Sequence, residues 1–443
     1  MLAIITPKRF TGTVRIPGSK SHTIRRLIIA AMAEGVSDIE TPLDSLDARS
    51  CAAVCRALGA DIEERRDIDP ACPNPADAGG TKLAGWRVRG IGGGKTPALN
   101  APLDVGNSGT TLFLALAVAA LGDRPATFTG DEQIRRRSAG PLLAALSGLG
   151  VRVSSGENGC APITVEGPWR GGRASLPCPT SQYLSAILLA APLAPAGAVT
   201  EIDVPLLNER PYIELTLSYL DAQGIRYERA EDYSYFRIPG GAAYKPMNGP
   251  VPGDFSSAAF PGGAAAVGGG TVTLLGLDPA DPQGDKGFFD ILNQMGAEAR
   301  WEQAGEWRLI VSRSGRLRGG EFDLNSCPDL LPIMAVLGAY ADGETALVNA
   351  AHARIKETDR IAVMSKELGK LGALMRERSD GLIVRGGSLR GGRVDGHGDH
   401  RAAMSLAVAG LGAAGPVEII GAEAADVTYP GFLELLDARC VWS

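Results

Sequence analysis

Histidine is nearly missing from this chain, with four in 443 residues. Cys51 and Cys55 are spaced to share a helix face, but no histidines stand near them to complete a zinc set. They read instead as small buried hydrophobes. The seven cysteines are odd in number and lack paired spacing, which argues against a disulfide framework and for a reducing cytoplasm. No apolar run reaches the roughly 18 residues of a membrane span. No secretory leader is expected either, because Lys8 and Arg9 break the opening and no long apolar segment follows. Positive charge is not in excess: 44 Lys and Arg face 50 Asp and Glu, a net charge of −6, which counts against nucleic acid or an anionic membrane as partner. A nucleotide loop is incomplete as well. Gly92-Gly93-Gly94-Lys95-Thr96 resembles one, but the required first glycine falls on Arg89, and Pro97, Asn100 and Pro102 spoil the helix that should follow. An exposed turn is the expectation there.

What is present is the composition of a globular protein, 45% hydrophobic and 21% charged, over a length that calls for two domains. Ile16-Pro17-Gly18-Ser19-Lys20-Ser21 reads as a strand end and a turn, opening a helix whose apolar face begins at Ile24 and Leu27. Ser19 or Ser21 can cap that helix, and its free N–H groups favour an anion at its start, with Lys20 and Arg25 beside it. One such opening is an ordinary capped helix; six are a repeat. The copies are centred on Lys20, Ser108, Ser181, Phe255, Pro328 and His400, at intervals of 88, 73, 74, 73 and 72 residues. The long first interval holds the Pro-, Gly- and Asp-rich stretch from Asp67 to Thr81, which reads as a surface insertion.

In chain order, a strand is expected from Lys8 to Ile16, a helix from Asp47 to Leu58 ended by Gly59, and a strand from Leu83 to Val88. The helix opened by Asp254 should end or kink at Pro261-Gly262-Gly263, since an interior Pro costs ~3 kcal/mol and each Gly ~1 kcal/mol relative to Ala. Lys245 to Gly253 marks the crossing between domains: residues 1–17 with 251–443 form one, residues 18–250 the other, three repeats in each. Lys356 and Arg360, four apart, should face one way on a helical turn beside Glu357. Lys20, Arg25, Arg135, Arg136, Arg137, Lys356, Arg360 and Arg401 all lie at or beside the loop–helix junctions. An acidic protein that gathers its cations there points to a small polyanionic ligand.

Six motifs in order resemble the enolpyruvyl transferases over essentially the whole chain. They are Pro-Gly-Ser-Lys-Ser-(three residues)-Arg at 17–25, Gly-Asn-Ser-Gly-Thr-Thr at 106–111, Ser-Gln-Tyr at 181–183, Gly-Asp-Phe-Ser-Ser-Ala at 253–258, Lys-Glu-Thr-Asp-Arg at 356–360 and Asp-His-Arg at 399–401. The resemblance implies an α/β fold of two domains, an inside-out α/β barrel. Each domain would hold three βαβαββ-like units around an inward-facing helix bundle, with a cleft closing about a two-segment hinge. It implies transfer of the enolpyruvyl group of phosphoenolpyruvate to the 5-hydroxyl of shikimate 3-phosphate, with no cofactor and no metal, in a cytoplasmic monomer. By the same resemblance Lys20, Ser21, Arg25, Thr180, Ser181 and Gln182 hold shikimate 3-phosphate, with Asp329 and Lys356 at its hydroxyls. Lys20, Gly109, Arg137, Gln182, Arg360 and Arg401 line the phosphoenolpyruvate side. Asp329 is the implied base and Glu357 the implied proton donor, with Lys20 and Lys356 completing the catalytic set. Such chemistry separates charge and needs cations aimed at phosphate and carboxylate.

The chain departs from the family pattern at Glu209, His352, Phe113, Ser138 and Val427. Glu209 matters most, because it stands where a serine contacts the substrate phosphate. A carboxylate within ~4 Å of phosphate costs on the order of 1–4 kcal/mol, so Glu209 should turn away and Arg210 compensate. Two alternatives share the motifs in part: a transferase acting on UDP-N-acetylglucosamine, and a catalytically impaired relative that only binds ligand. The first would carry a Lys-Asn pair near the start and a loop cysteine, neither of which is visible; the second would have lost Asp329, Lys356 or Glu357, all present.

Overall fold

A computed structural model describes residues 1–68, 81–92, 99 and 101–441. Residues 69–80 of the expected insertion, and Gly93 to Thr96 of the glycine turn with its Lys95, lie outside them. The chain divides into two compact units, residues 1–19 with 252–443 and residues 20–251.

Each unit contains three four-stranded sheets, and all six share one pattern. A parallel pair comes first, and two antiparallel neighbours follow it. Gly172–Ser175 runs parallel to Val199–Asp203, which pairs antiparallel with Tyr235–Pro239, itself antiparallel to Glu228–Arg229. Between those first two strands runs the helix Gln182–Ala190, and after the second the helix Arg210–Gln223, giving the order βαβαββ. Strands such as Val199–Asp203 and Glu344–Val348 alternate buried and open positions, as half-covered sheets do.

The first helix of each repeat is different: it is buried nearly all round. Gly109–Ala119 has every residue buried, Phe255–Gly268 all but Gly268, and Leu331–Tyr340 all but Tyr340. A helix apolar on every face belongs at a centre, not on a surface. In the first unit Phe255–Gly268, Leu331–Tyr340 and His400–Gly412 pack on one another; in the second, Gly109–Ala119 packs on both Lys20–Met32 and Gln182–Ala190. Helices therefore form the core of each unit and sheets its outside. No helix of the described residues is long and apolar enough to cross a membrane.

Two segments differ from the sequence expectation. The helix that was to break at Pro261 runs on from Phe255 to Gly268. The packing explains it: Cβ atoms at Gly262 and Gly263 would come within 3.0 Å of the Phe289 ring and 2.9 Å of Ile333. The glycines let those side chains close on the helix backbone, and burial outweighs the loss at Pro261. The single N-terminal strand expected from Lys8 to Ile16 is two, Leu2–Ile5 and Gly12–Arg15, separated around Pro7, which cannot donate to a ladder. Leu2–Ile5 lies between Val417–Ile420 and Arg439–Val441, so the start of the chain completes its last repeat. Gly12–Arg15 runs parallel to Thr271–Leu275, and Asn248–Pro250 runs parallel to Val36–Glu40. At each passage between units, the last strand before the crossing stays in the unit being left.

That closure makes a prediction about Ile5, which is 1% exposed. Ile5→Ala should cost about 2–4 kcal/mol through lost burial and a residual cavity, whereas Thr6→Ala, at an exposed site, should stay within about 0.5 kcal/mol. Denaturant unfolding of both variants measures the difference; equal effects would mean that the N-terminal strand does not close the sheet.

Candidate active site

In the unit of residues 20–251, the predicted residues gather at the first turns of the central helices. Lys20 opens the helix Lys20–Met32, and its Nζ lies 3.1 Å from Asp47, a partner the sequence did not reveal. Arg25, one turn on, is buried. It donates to Thr216 Oγ1 at 2.9 Å, to the Ser21 carbonyl at 3.1 Å, and to Ser185 Oγ and the Tyr212 carbonyl at 3.2 Å. All four partners are neutral oxygens, so its positive charge stays available to an anion. Burial pushes the guanidinium down to about 10, with Tyr219 and Tyr212 opposing, and it remains cationic at neutral pH.

Gly109 is the first residue of its helix, capped by Ser108, whose Oγ accepts from the Thr111 N–H. A Cβ at Gly109 would sit 2.5 Å from Arg137 Nη1. Only glycine lets that guanidinium lie against the helix start. Arg135 and Arg136, by contrast, are exposed, and Arg136 pairs with Glu132. Tyr183 ties this corner to the helix Gln182–Ala190: its hydroxyl donates to the Ser138 carbonyl at 2.6 Å, and its ring meets Phe113 edge-on at 5.0 Å. One of the departures, Phe113, thus packs against the tyrosine that holds the loop carrying Arg137.

Glu209 does the reverse of what was expected. It is 3% exposed, and its Oε2 accepts from the Ser181 N–H at 3.0 Å, Ser181 Oγ at 2.8 Å and Thr180 Oγ1 at 3.2 Å. Arg210 does not accompany it; it donates to Glu214 at 3.2 Å and stacks on Tyr233 at 4.0 Å. The carboxylate turns inward because three convergent donors outbid solvent. Gln182 opens its helix next to this group. Ser19 also differs from expectation: its hydroxyl donates to Gln283 at 3.0 Å.

In the other unit, three predicted residues converge on a fourth, Asp329. Arg360 Nη1 is 2.6 Å and Lys356 Nζ 3.8 Å from its Oδ1, and Arg401 Nη2 is 2.9 Å from its Oδ2. Arg360 also reaches Glu357 at 2.5 Å and Asp399 at 2.8 Å. Lys356 and Arg360 do not share a helical turn. Lys356 follows the 3₁₀ segment Ala351–Ile355 in a non-helical conformation, and Arg360 begins the helix Arg360–Lys370, capped by Asp359. Asp329 gathers them, not the helix repeat. Burial opposes its ionisation, but Arg401, Lys356 and Arg360 outweigh that and hold the carboxyl well below the usual range. Burial likewise disfavours the charge on Arg360, yet Asp399, Glu357 and Asp329 raise it above the ordinary arginine value. His352 is buried, with Nε2 3.2 Å from the Asn325 carbonyl.

Asp285 belongs to this cluster and was missed. It lies at a 3₁₀ turn, Gly284–Lys286, with no periodicity to mark it. The Ser256 hydroxyl donates to it, and burial lifts its carboxyl to about 7, Arg401 opposing and Asp329 adding to the rise. Asp399 was visible as part of a motif but not as Arg360's partner. It caps the helix His400–Gly412, accepting from the Arg401 N–H at 2.9 Å.

Known proteins resemble the chain over nearly its whole length. A family model described as EPSP synthase (3-phosphoshikimate 1-carboxyvinyltransferase) matches residues 4–436. The chain is 47% identical to the 3-phosphoshikimate 1-carboxyvinyltransferase of Acetivibrio thermocellus, over 99% of this chain and 98% of that one. It is 42% identical to that of Halobacterium salinarum, over 98% of both chains. A solved EPSP synthase from Acinetobacter baumannii superposes with a TM-score of 0.78 at 29% identity, covering 98% of this chain and 97% of its own.

The Asp285 environment has a testable consequence for stability. Its folded pKa, about 7, exceeds the ordinary 3.8, so between these values the native state binds the extra proton. Stability then falls as pH rises through that window, by up to about 4 kcal/mol for this one group. Asp285→Asn cannot ionise. Its thermal midpoint should gain on that of the unsubstituted protein as pH goes from 5 to 8; a constant difference would show that Asp285 ionises normally.

Proposed function

We propose, for a chain that belongs to the EPSP synthase (3-phosphoshikimate 1-carboxyvinyltransferase) family, that its two residue sets act on one pair of substrates. The activity is that of the shikimate-pathway transferase: the enolpyruvyl group of phosphoenolpyruvate passes to the 5-hydroxyl of shikimate 3-phosphate, and phosphate is released. In this reading Lys20, Ser21, Arg25, Thr180, Ser181 and Gln182 hold shikimate 3-phosphate, with Asp329 and Lys356 at its hydroxyls. Gly109, Arg137, Arg360 and Arg401, with Lys20 and Gln182, take phosphoenolpyruvate. The neutral partners of Arg25 support its part, since a buried guanidinium with no carboxylate bonded to it is an anion site in waiting. The six described cysteines are free thiols, which suits the reducing cytoplasm where we place the enzyme, acting as a monomer.

The observation that carries the mechanism is Asp329 beneath three cations. So neutralised, it is a feeble base. Phosphoenolpyruvate brings a phosphate and a carboxylate that compete for Arg360 and Arg401, and each cation drawn away returns basicity to Asp329. The base is thereby switched on by the second substrate. Asp329 then takes the proton of the 5-hydroxyl as its oxygen bonds to C2 of phosphoenolpyruvate, while Glu357 delivers a proton to the methylene carbon. The C2–O bond to phosphate then breaks, Asp329 giving its proton to the departing phosphate while Glu357 takes one back from the new methyl group, and the double bond is restored. Lys356 and the arginines stay aimed at the charge that develops.

Phosphate release with both substrates tests the reading, and no release with shikimate 3-phosphate would end it. Lys356→Met should lower the rate roughly a hundred- to a thousandfold, while Lys95→Met, outside the described residues, should change it less than about threefold. The opposite ranking would return the nucleotide loop to consideration. Gly109→Ala should raise KM for phosphoenolpyruvate about tenfold or more, because the added methyl displaces the Arg137 guanidinium. An unchanged KM would remove Arg137 from that site.

A further inference from the structure

Glu209 occupies the place that the proposed function gives to the substrate's phosphate. Its Oε2 takes three donors at once, the Ser181 N–H, Ser181 Oγ and Thr180 Oγ1, at 3.0, 2.8 and 3.2 Å. Those donors stand at the start of the helix Gln182–Ala190, where the backbone field favours negative charge. Glu209 itself precedes the helix Arg210–Gln223 at φ 57°, ψ 40°, a left-handed conformation unusual for an L residue with a long side chain. Strained backbone of this kind gathers at ligand sites, where the surroundings over-determine it. Arg210, next in sequence, is committed to Glu214 and the Tyr233 ring.

We propose that Glu209 is a resident anion, an internal competitor that shikimate 3-phosphate must displace before its phosphate can reach Thr180 and Ser181. The inference rests on assigning those two residues to the phosphate. The donors are three and they already converge on one oxygen. A phosphate oxygen accepting from the same groups would sit in contact with Oε2, and the two charges would repel. The carboxylate therefore leaves as the phosphate enters. It keeps the three donors oriented and satisfied in the empty site, and it lowers affinity for the phosphorylated substrate in return. The penalty is selective. Shikimate without its phosphate has nothing to put in that subsite and leaves Glu209 where it is.

Kinetics and calorimetric binding on the purified enzyme test this. Glu209→Ser, which removes the charge and offers a hydroxyl donor, should lower KM and Kd for shikimate 3-phosphate about tenfold. Glu209→Gln should move them the same way by less. Kd for shikimate should stay within about twofold in both, so that the ratio between the two ligands widens. If the serine variant does not fold by circular dichroism, the glutamine variant decides. Unchanged or weaker binding of shikimate 3-phosphate in the folded variants overturns the proposal, as does equal tightening of both ligands. Ser181→Ala in the Glu209→Ser background separates the two levels of argument. Loss of the gained affinity upholds the phosphate assignment, whereas no change there removes it, and the competitor with it.

Discussion

Desolvated charge at Arg360 and Asp399 is the constraint from which this protein's chemistry follows. Arg360 and Asp399 are both almost wholly inaccessible to water, and neither could be left alone there without a penalty of several kcal/mol. Asp399 is anchored as the cap of its helix, and it anchors Arg360. Arg360, so fixed, reaches Asp329 and Glu357 with its remaining nitrogens. Arg401 enters from the first turn of the helix that Asp399 caps, and Lys356, from the end of a 3₁₀ segment, faces the other carboxylate oxygen. Arg360 and Asp329 have three charged partners each, so their positions are set by the network and not by any single pair. A dianionic ligand entering such a network need not bring order; it exchanges one set of charged partners for another.

The two units use one scaffold with opposite electrostatic habits. In residues 252–443 the helix starts carry acids, Asp254 and Asp399 as caps with Asp329 between them in sequence, and arginines are held in full ion pairs. In residues 20–251 a serine caps the helix at Gly109, and Arg25 is held by hydroxyls and carbonyls. The first habit suits a reacting centre, where proton affinity must respond to what is bound. The second suits a binding surface, where a fixed positive charge and small donors are wanted. Glu209 and Asp47 are the carboxylates at these helix starts in the second unit, Asp47 paired with Lys20 and Glu209 held by Thr180 and Ser181.

The all-round burial of the central helices makes both arrangements possible. Because these helices have no polar face to spend on function, their polar residues gather in the first two turns, at or near the free backbone N–H groups. Six repeats then bring six such openings, and the strand Leu2–Ile5 ties the start of the chain into its final sheet.

Much of this was written in local sequence. Anchors spaced at nearly constant intervals declared the repeat, and runs of Ala, Leu, Ile and Val declared the buried helices, because periodicity and burial are properties of neighbouring residues. The cations beside the loop–helix junctions marked the ligand as an anion for the same reason. Side-chain partners across the fold were not legible. Asp47 meets Lys20, Asp285 meets Ser256, and Lys356 meets Asp329 over separations that no window covers. Local rules also lost where packing overruled them: Pro261 sits inside a helix because Phe289 and Ile333 close on the glycines beside it. Glu209 was expected to face away from the anion site on electrostatic grounds. Its direction was decided by three donors brought together from the loop at 180–181, which its own neighbourhood in sequence could not announce. Composition and spacing determined what kind of molecule this is and which charges it gathers; only tertiary structure decided which of those charges answer one another, since that depends on distance in space and on the exclusion of water.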